Sequence, residues 1–222
     1  MSRRALVVRP EPGGAATAAR LAALGLDAIR LPLFAVTPLP WSPPPATFDA
    51  LLLTSANAVR HAGPALADLR MLPVVAVGGG TAAAAEAHGL QVAAIGTGDA
   101  ADALSIAHAQ GWRRVIRLAG RERTPLAGVT DVPVYASDPL SPPPGALESA
   151  RSAVALLHST RAARFFADLI DRDRVPRREV RLAAISAAVA GAAGTGWDRV
   201  LVAAAPGDQE LVAAARTLAI DP

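Results

Sequence analysis

Serines placed where apolar runs end are the first candidates for chemistry in this chain. In Leu51-Leu52-Leu53-Thr54-Ser55-Ala56-Asn57-Ala58-Val59 an apolar run gives way to two hydroxyl residues, and Ala-rich helical sequence follows at once. That junction predicts a buried parallel strand that passes directly to a helix N-cap. Ser55 can accept there from the first free backbone N–H groups, where the helix dipole also favours an anion. Capping alone explains such a serine; anion binding is the functional alternative. Val154-Ala155-Leu156-Leu157-His158-Ser159-Thr160-Arg161-Ala162-Ala163 repeats the form, with His158 beside Ser159 at the strand end.

Tyr135 is the single tyrosine and lies in a proline-rich stretch. Its phenol can donate a proton to a leaving group, or the ring can simply pack half-buried. Other catalytic candidates are few. His61, His88, His108 and His158 show no metal-ligand spacing, and no G-x-S-x-G elbow surrounds any serine. Asp99 and Asp208 occupy matched loops and suit helix caps. Gly13-Gly14 lacks the spaced glycines of a dinucleotide fingerprint and reads as loop.

Composition removes whole reaction classes. Cysteine is absent, so disulfides, thiolate catalysis, Cys-zinc sites and iron–sulfur clusters are excluded. All 22 basic residues are arginine, which excludes Schiff-base chemistry and a Walker-type lysine. No metal and no organic cofactor are expected. A net charge of +3 permits an anionic ligand without requiring one, and 4% aromatics argue against nucleic acid. The Arg172–Arg178 run, interrupted by acids and Pro176, reads as a solvated loop. Apolar runs stop short of the ~20 residues a membrane span needs, and Ala5–Val8 is too short for a signal-peptide core. A cytoplasmic protein is expected.

The elements that hold these residues repeat. Strand, Val74-Val75-Ala76-Val77-Gly78, helix to Gly89, strand and Gly98-Asp99 follow Ser55. Leu182-Ala183-Ala184-Ile185-Ser186, helix to Gly196, strand and Gly207-Asp208 follow Ser159. The offset between paired landmarks stays at about 104 to 109 residues, the mark of internal duplication. Before the first block lie a strand at Leu6–Val8, a loop from Arg9 to Gly14, a helix at Ala15–Leu24 and a strand at Asp27–Leu31. The first block is read with strands Ala50–Leu53, Val74–Val77, Val92–Ile95, Val115–Leu118 and a short one near Val129–Val134. Its helices are Asn57–Leu69, Thr81–His88 and Ala101–Ala109; the helix expected after Gly120 has only Arg121 to Gly128 and is shortened or lost. The second block has strands Val154–Leu157, Arg181–Ile185 and Arg199–Val202, with helices Arg161–Ile170, Ala187–Ala193 and Asp208–Leu218.

Proline-rich crossings bracket the first block. The economical reading is α/β with two similar parallel-sheet domains, flavodoxin- or Rossmann-like, one inserted in the other and joined by a two-stranded connector. The host covers 1–34 and 140–222, the insert 46–131, and the connectors 35–45 and 132–139. Two strands alone joining the domains predict relative domain motion, with ligands at the strands' carboxyl ends, facing the interdomain cleft.

Several of these motifs, taken in order, resemble the uroporphyrinogen-III synthase family. They are Val8-Arg9-Pro10, Leu53 to Val59, Val75-Ala76-Val77-Gly78, Gly98-Asp99 with Ala103-Leu104, and Leu118-Ala119-Gly120-Arg121. Val134-Tyr135, Ser159-Thr160 and Ala184 to Ala190 complete the set. The resemblance implies a cofactor-independent, monomeric enzyme acting on hydroxymethylbilane, a linear tetrapyrrole with eight carboxylates. It would lose water, invert ring D through an azafulvene and a spiro pyrrolenine, and close to uroporphyrinogen III. By position, Tyr135 matches the family's proton donor. Thr54, Ser55, Gly78, Thr81, Gly120, Arg121, Ser159 and Ser186 match substrate-contact positions. Val8 replaces the usual threonine before Arg-Pro, and Ser186 is the hydroxyl that remains where some members carry threonine. A hinged two-domain sensor that binds a small molecule without turnover is the alternative.

Overall fold

The structure, a computed structural model, describes residues 2–96 and 99–220; Gly98 of the Gly98-Asp99 motif lies outside them. In chain order β1 (Ala5–Val7), α1 (Gly13–Ala23) and β2 (Ala28–Arg30) come first, followed by β3 (Phe34–Pro38). Next come β4 (Ala50–Leu53), α2 (Ala56–His61), β5 (Val74–Ala76), α3 (Gly79–Ala87), β6 (Val92–Ile95) and α4 (Ala100–Ala109). Then β7 (Val115–Gly120) and β8 (Val129–Pro139) lead to β9 (Val154–Leu157) and α5 (Thr160–Arg172). The chain finishes with β10 (Arg181–Ala184), α6 (Ala187–Ala192), β11 (Arg199–Val202) and α7 (Asp208–Ile220). Contacts divide it into two compact units, Met1–Ala35 with Pro139–Pro222, and Val36–Asp138.

The first unit holds a parallel five-stranded sheet in the order β2-β1-β9-β10-β11. Strands β1, β9 and β10 are buried along their whole length; β1 and β9 accordingly read as unbroken apolar runs, and β10 departs only at Arg181, whose Nε donates to Asp198 Oδ2 at 2.7 Å. Apolar clusters cover both faces. Phe166, Leu169 and Ile170 of α5 pack on one, and Leu211, Ala215 and Leu218 of α7 on the other. The second unit's sheet runs β3-β8-β7-β4-β5-β6. Strands β8, β7, β4, β5 and β6 are parallel. At the edge β3 runs opposite to β8: the Leu39 N–H donates to Val134 O, and Leu140 N–H donates to Leu33 O.

Setting β3 aside, the two orders differ in an informative way. Counted within its own unit, the first sheet is 2-1-3-4-5 and the second 3-2-1-4-5. These are the flavodoxin-like and Rossmann-like orders. The repeated sequence block maps β4-β5-β6 onto β9-β10-β11. The remaining two strands precede the block in the first unit and follow it in the second. The two units are therefore circular permutations of one sheet, which the offset in sequence does not reveal.

Several boundaries differ from the sequence expectation, each for a local reason. Helix α1 begins at Gly13, inside the expected loop. Pro10 and Pro12 sit ahead of it, where a missing N–H costs little, and Gly14 N–H donates to Pro10 O. The expected helix Asn57–Leu69 is broken: Gly63 at φ +66 ends α2's run, and Pro64 starts a separate 3-10 turn, Pro64–Leu69. Strand β8 extends to Pro139, eleven residues, well past the short strand expected.

No helix stands between β7 and β8. The loop 121–128 is anchored instead by Arg117, 2% exposed in the middle of β7. Arg117 Nη2 donates to Asp131 Oδ2 at 2.7 Å and to Thr124 O at 3.1 Å, and Arg123 Nε lies 3.0 Å from Asp131. Burial alone would raise the Asp131 carboxyl; the two guanidinium groups outweigh it and hold it below the ordinary carboxylate range. Leu126, with Trp112 and Val129, packs against the apolar cluster that includes Leu104 and Val115, the contact a helix would otherwise supply.

Candidate functional site

In open α/β sheets ligands bind at the carboxyl ends of the strands where the strand order reverses. In the second unit that point lies between β4 and β7. Thr54 and Ser55 leave β4 there, and Gly120 ends β7. Ser55 is extended, and its Oγ accepts from Asn57 N–H at 3.1 Å. As a cap the hydroxyl uses a lone pair, so its own proton is still available to donate to an anion. Helix α2 has six residues, so the dipole behind Ser55 is short.

Gly78 leaves β5 in extended backbone. A Cβ at Gly78, Gly79 or Gly80 would meet nothing within 4 Å, so the start of α3 is open to close approach. Thr81, one turn in, is 8% exposed and packs into the unit. The exposed Arg121 guanidinium is paired with Glu122 and Asp138, while its backbone N–H donates to Tyr135 O at 2.8 Å.

Tyr135 pairs with Gly120 across β7 and β8 and is half-buried. Its hydroxyl makes no hydrogen bond to another described residue. The His61 ring lies 6.3 Å from the Tyr135 ring, centroid to centroid. Burial first, and Arg60 second, push the His61 imidazole below its ordinary value; its Nε2 is buried with no hydrogen-bond partner.

In the first unit the order reverses between β1 and β9. Arg9 follows β1, and His158 and Ser159 follow β9. Ser159 Oγ accepts from Ala162 N–H at 3.1 Å, and Ser186 Oγ from Val189 N–H at 3.4 Å, so both cap their helices as Ser55 does. Asp99 caps α4 by accepting from Ala101 and Asp102. Asp208 departs from that role. It is the first residue of α7, and its carboxylate collects side chains instead.

Around Asp208, Oδ1 lies 2.9 Å from Arg9 Nη1, 2.7 Å from Thr17 Oγ1 and 2.8 Å from His158 Nε2, and Oδ2 lies 2.6 Å from Arg20 Nη1. Burial would raise this carboxyl, but His158, Thr17 and Arg9 hold it far below the ordinary range. Burial is also the largest influence on His158 and outweighs the Asp208 carboxylate, so the ring is held neutral. It then donates through Nε2–H. Nδ1 is buried without a well-formed partner, the Leu156 carbonyl adding only slightly to the charged form. Sequence reasoning did not assemble this network; its only trace was His158 beside Ser159 and Asp208 in a repeated loop.

These histidines make stability depend on pH. Both folded values are depressed, so as pH falls the unfolded chain takes up protons first, beginning near an ordinary value of about 6.5. Stability is full above that point and is lost below it, down to the folded values. Denaturant midpoints are therefore expected to fall between pH 7.5 and 5.5, with a flatter profile in the His61→Gln/His158→Gln double variant. Equal or higher midpoints at pH 5.5 would refute this reading.

A hollow of about 720 Å³ between α1 and α7 is lined by Arg20, Leu24, Val212 and Arg216 and includes neither Ser159 nor Ser186. Among the described residues no three His, Asp or Glu side chains are grouped as metal ligands, and no helix is long and apolar enough to cross a membrane.

Comparison with known proteins completes the assignment. No curated protein matches the chain significantly. Among solved structures, uroporphyrinogen-III synthetase from Helicobacter pylori superposes with a TM-score of 0.66 at 16% identity, covering 97% of this chain and 99% of that one. A mutant uroporphyrinogen III synthase from Thermus thermophilus gives 0.55, also at 16% identity, with 96% of each chain covered. At that identity the likeness establishes the two-sheet fold. The family model for uroporphyrinogen-III synthase HemD matches residues 15–213, nearly the whole chain, and so the chain belongs to the uroporphyrinogen-III synthase family.

Proposed function

We propose that this chain carries out the family's cyclisation of hydroxymethylbilane with Tyr135 as the proton donor. The reaction removes water from the linear tetrapyrrole, inverts ring D and closes uroporphyrinogen III. As the C–O bond to the leaving hydroxyl breaks, the phenol proton passes to that oxygen, water departs, and the pyrrole nitrogen's electron pair completes the azafulvene. Ring closure through the spiro pyrrolenine then returns a proton when the pyrrole becomes aromatic again. One observation carries this reading: the chain's single phenol stands beside a reversal of strand order, with its hydroxyl bonded to no other described residue.

The remaining residues suit a ligand made of carboxylates. Thr54, Ser55, Ser159 and Ser186 offer hydroxyl protons at strand ends. Gly78 leaves backbone N–H groups approachable, and Arg121 adds charge at the end of β7. Much of the acceleration then comes from holding a flexible chain in a closable shape. We assign the halves of this work to a host domain, 1–34 with 140–222, and an insert, 46–131, linked by 35–45 and 132–139. The enzyme is taken to be a cytoplasmic monomer without cofactor.

Incubation with hydroxymethylbilane against an enzyme-free control, with the product isomers separated, tests the function. Isomer III is expected to dominate only with enzyme, and extensive chelation is expected to leave the rate unchanged. Product that matches the control returns the chain to the alternative of a binding protein without turnover. Activity restored only by added metal would remove the cofactor-free mechanism.

A further inference from the structure

The ladder between β7 and β8 slips beside Tyr135. From Val115↔Val129 to Ala119↔Pro133 the strands pair in step; Gly120 then pairs with Tyr135, and Val134 is passed over. Pro133 has no N–H to give the ladder, and an extra residue after it forms a bulge. A one-residue slip moves the following side chains to the other face. In step, Val134 would face Gly120; with the bulge, Tyr135 does. The Tyr135 carbonyl is then fixed by Arg121 N–H at 2.8 Å.

The atoms nearest to where a Cβ at 120 would stand all belong to the Tyr135 ring and its hydroxyl. The φ of Gly120 is not positive, so backbone conformation does not call for glycine. A Cβ there would stand 2.9 Å from Tyr135 Cζ, 3.0 Å from Cε2 and 3.1 Å from the hydroxyl oxygen. Carbon atoms pack at about 3.5–4.0 Å, so any side chain at 120 displaces the phenol. We propose that Gly120, together with the bulge after Pro133, is the positioning residue that sets where the Tyr135 hydroxyl stands. This assignment gives Gly120 a role in the acid's placement rather than in substrate contact, and it rests on Tyr135 being the donor.

Because Tyr135 is the sole tyrosine, ¹³C-labelled tyrosine gives one ring signal and reports the phenol's position directly. Gly120→Ala is expected to shift that signal and to lower kcat about 10²-fold, the cost of a misplaced reacting group, with KM changed less than about threefold. Gly191→Ala, whose Cβ would meet nothing within 4 Å, is the control and leaves signal and kcat unchanged. Gly120→Ala in the Tyr135→Phe background is expected to add no further loss. An unmoved signal, wild-type kcat, or an equal loss in the Tyr135→Phe background would overturn the proposal. Tyr135→Phe at full kcat overturns the donor reading and the catalytic half of this one, while the signal still decides the geometry. Should Gly120→Ala fail to fold, adding Tyr135→Ala must restore folding; if it does not, the ring is not what Gly120 accommodates.

Discussion

Tyr135→Phe is expected to lower kcat for isomer III by about 10²–10⁴-fold, the range for loss of a positioned general acid. Phenylalanine keeps the ring that rests on Gly120, so the bulge and the strand pairing persist. The hydroxyl bonds to no other described residue, so its removal leaves no buried partner unsatisfied, and stability is expected to change by less than about 1 kcal/mol. KM is expected to hold, because the carboxylate contacts assigned to Ser55, Ser159 and Ser186 are untouched. Ser55→Ala and Ser159→Ala serve as the contrast. Each removes a cap, at about 1 kcal/mol of stability, and a hydroxyl proton, so their effect falls mainly on KM. Steady-state kinetics with isomer separation decides between them. Wild-type turnover in Tyr135→Phe beside lost turnover in both serine variants would remove Tyr135 as the acid.

The largest expected stability effect lies at Asp131. Its carboxylate neutralises Arg117, whose side chain is 3% exposed. Asp131→Ala leaves that guanidinium buried with Thr124 O as its remaining hydrogen-bond acceptor. Breaking a buried pair from one side costs about 3–5 kcal/mol. Glu148→Ala provides the surface comparison. Its pair with Arg151 spans i to i+3, both side chains are about half exposed, and its loss is expected to cost far less than that of a buried pair. Replacing both partners, Arg117→Met with Asp131→Leu, is expected to recover most of the Asp131→Ala loss, since the buried guanidinium is gone and the charge left behind, Arg123, is 28% exposed and reaches water. Denaturant unfolding with unchanged m-values would measure all three. An Asp131→Ala cost no larger than that of Glu148→Ala would mean that the loop 121–128 lets water reach Arg117.

What the sequence determined by itself was local. Runs such as Leu51–Leu53 and Val154–Leu157 are buried on both faces, so burial alone makes them recognisable as strands. Ser55, Ser159, Ser186 and Asp99 cap helices because the signal is a side-chain acceptor two or three residues ahead of free N–H groups. Motif order over the whole chain was enough to indicate the family. Tertiary structure decided everything that depends on which strands become neighbours. No local pattern says that β1 and β2 precede the repeated block in one unit while β7 and β8 follow it in the other. The order of the first sheet, with β1 beside β9, brings Arg9 and His158 onto the carboxylate of Asp208, nearly two hundred residues from Arg9 in sequence. That the helix after Gly120 is shortened or lost was legible from the short segment Arg121 to Gly128; what anchors the loop in its place, Arg117, Arg123 and Asp131 meeting across β7 and β8, is invisible until the strands are in register. The placement of Tyr135 turns on a single residue. Side chains alternate along a strand, so one slip at Val134 determines which face the phenol takes, and that slip exists only once β8 lies against β7.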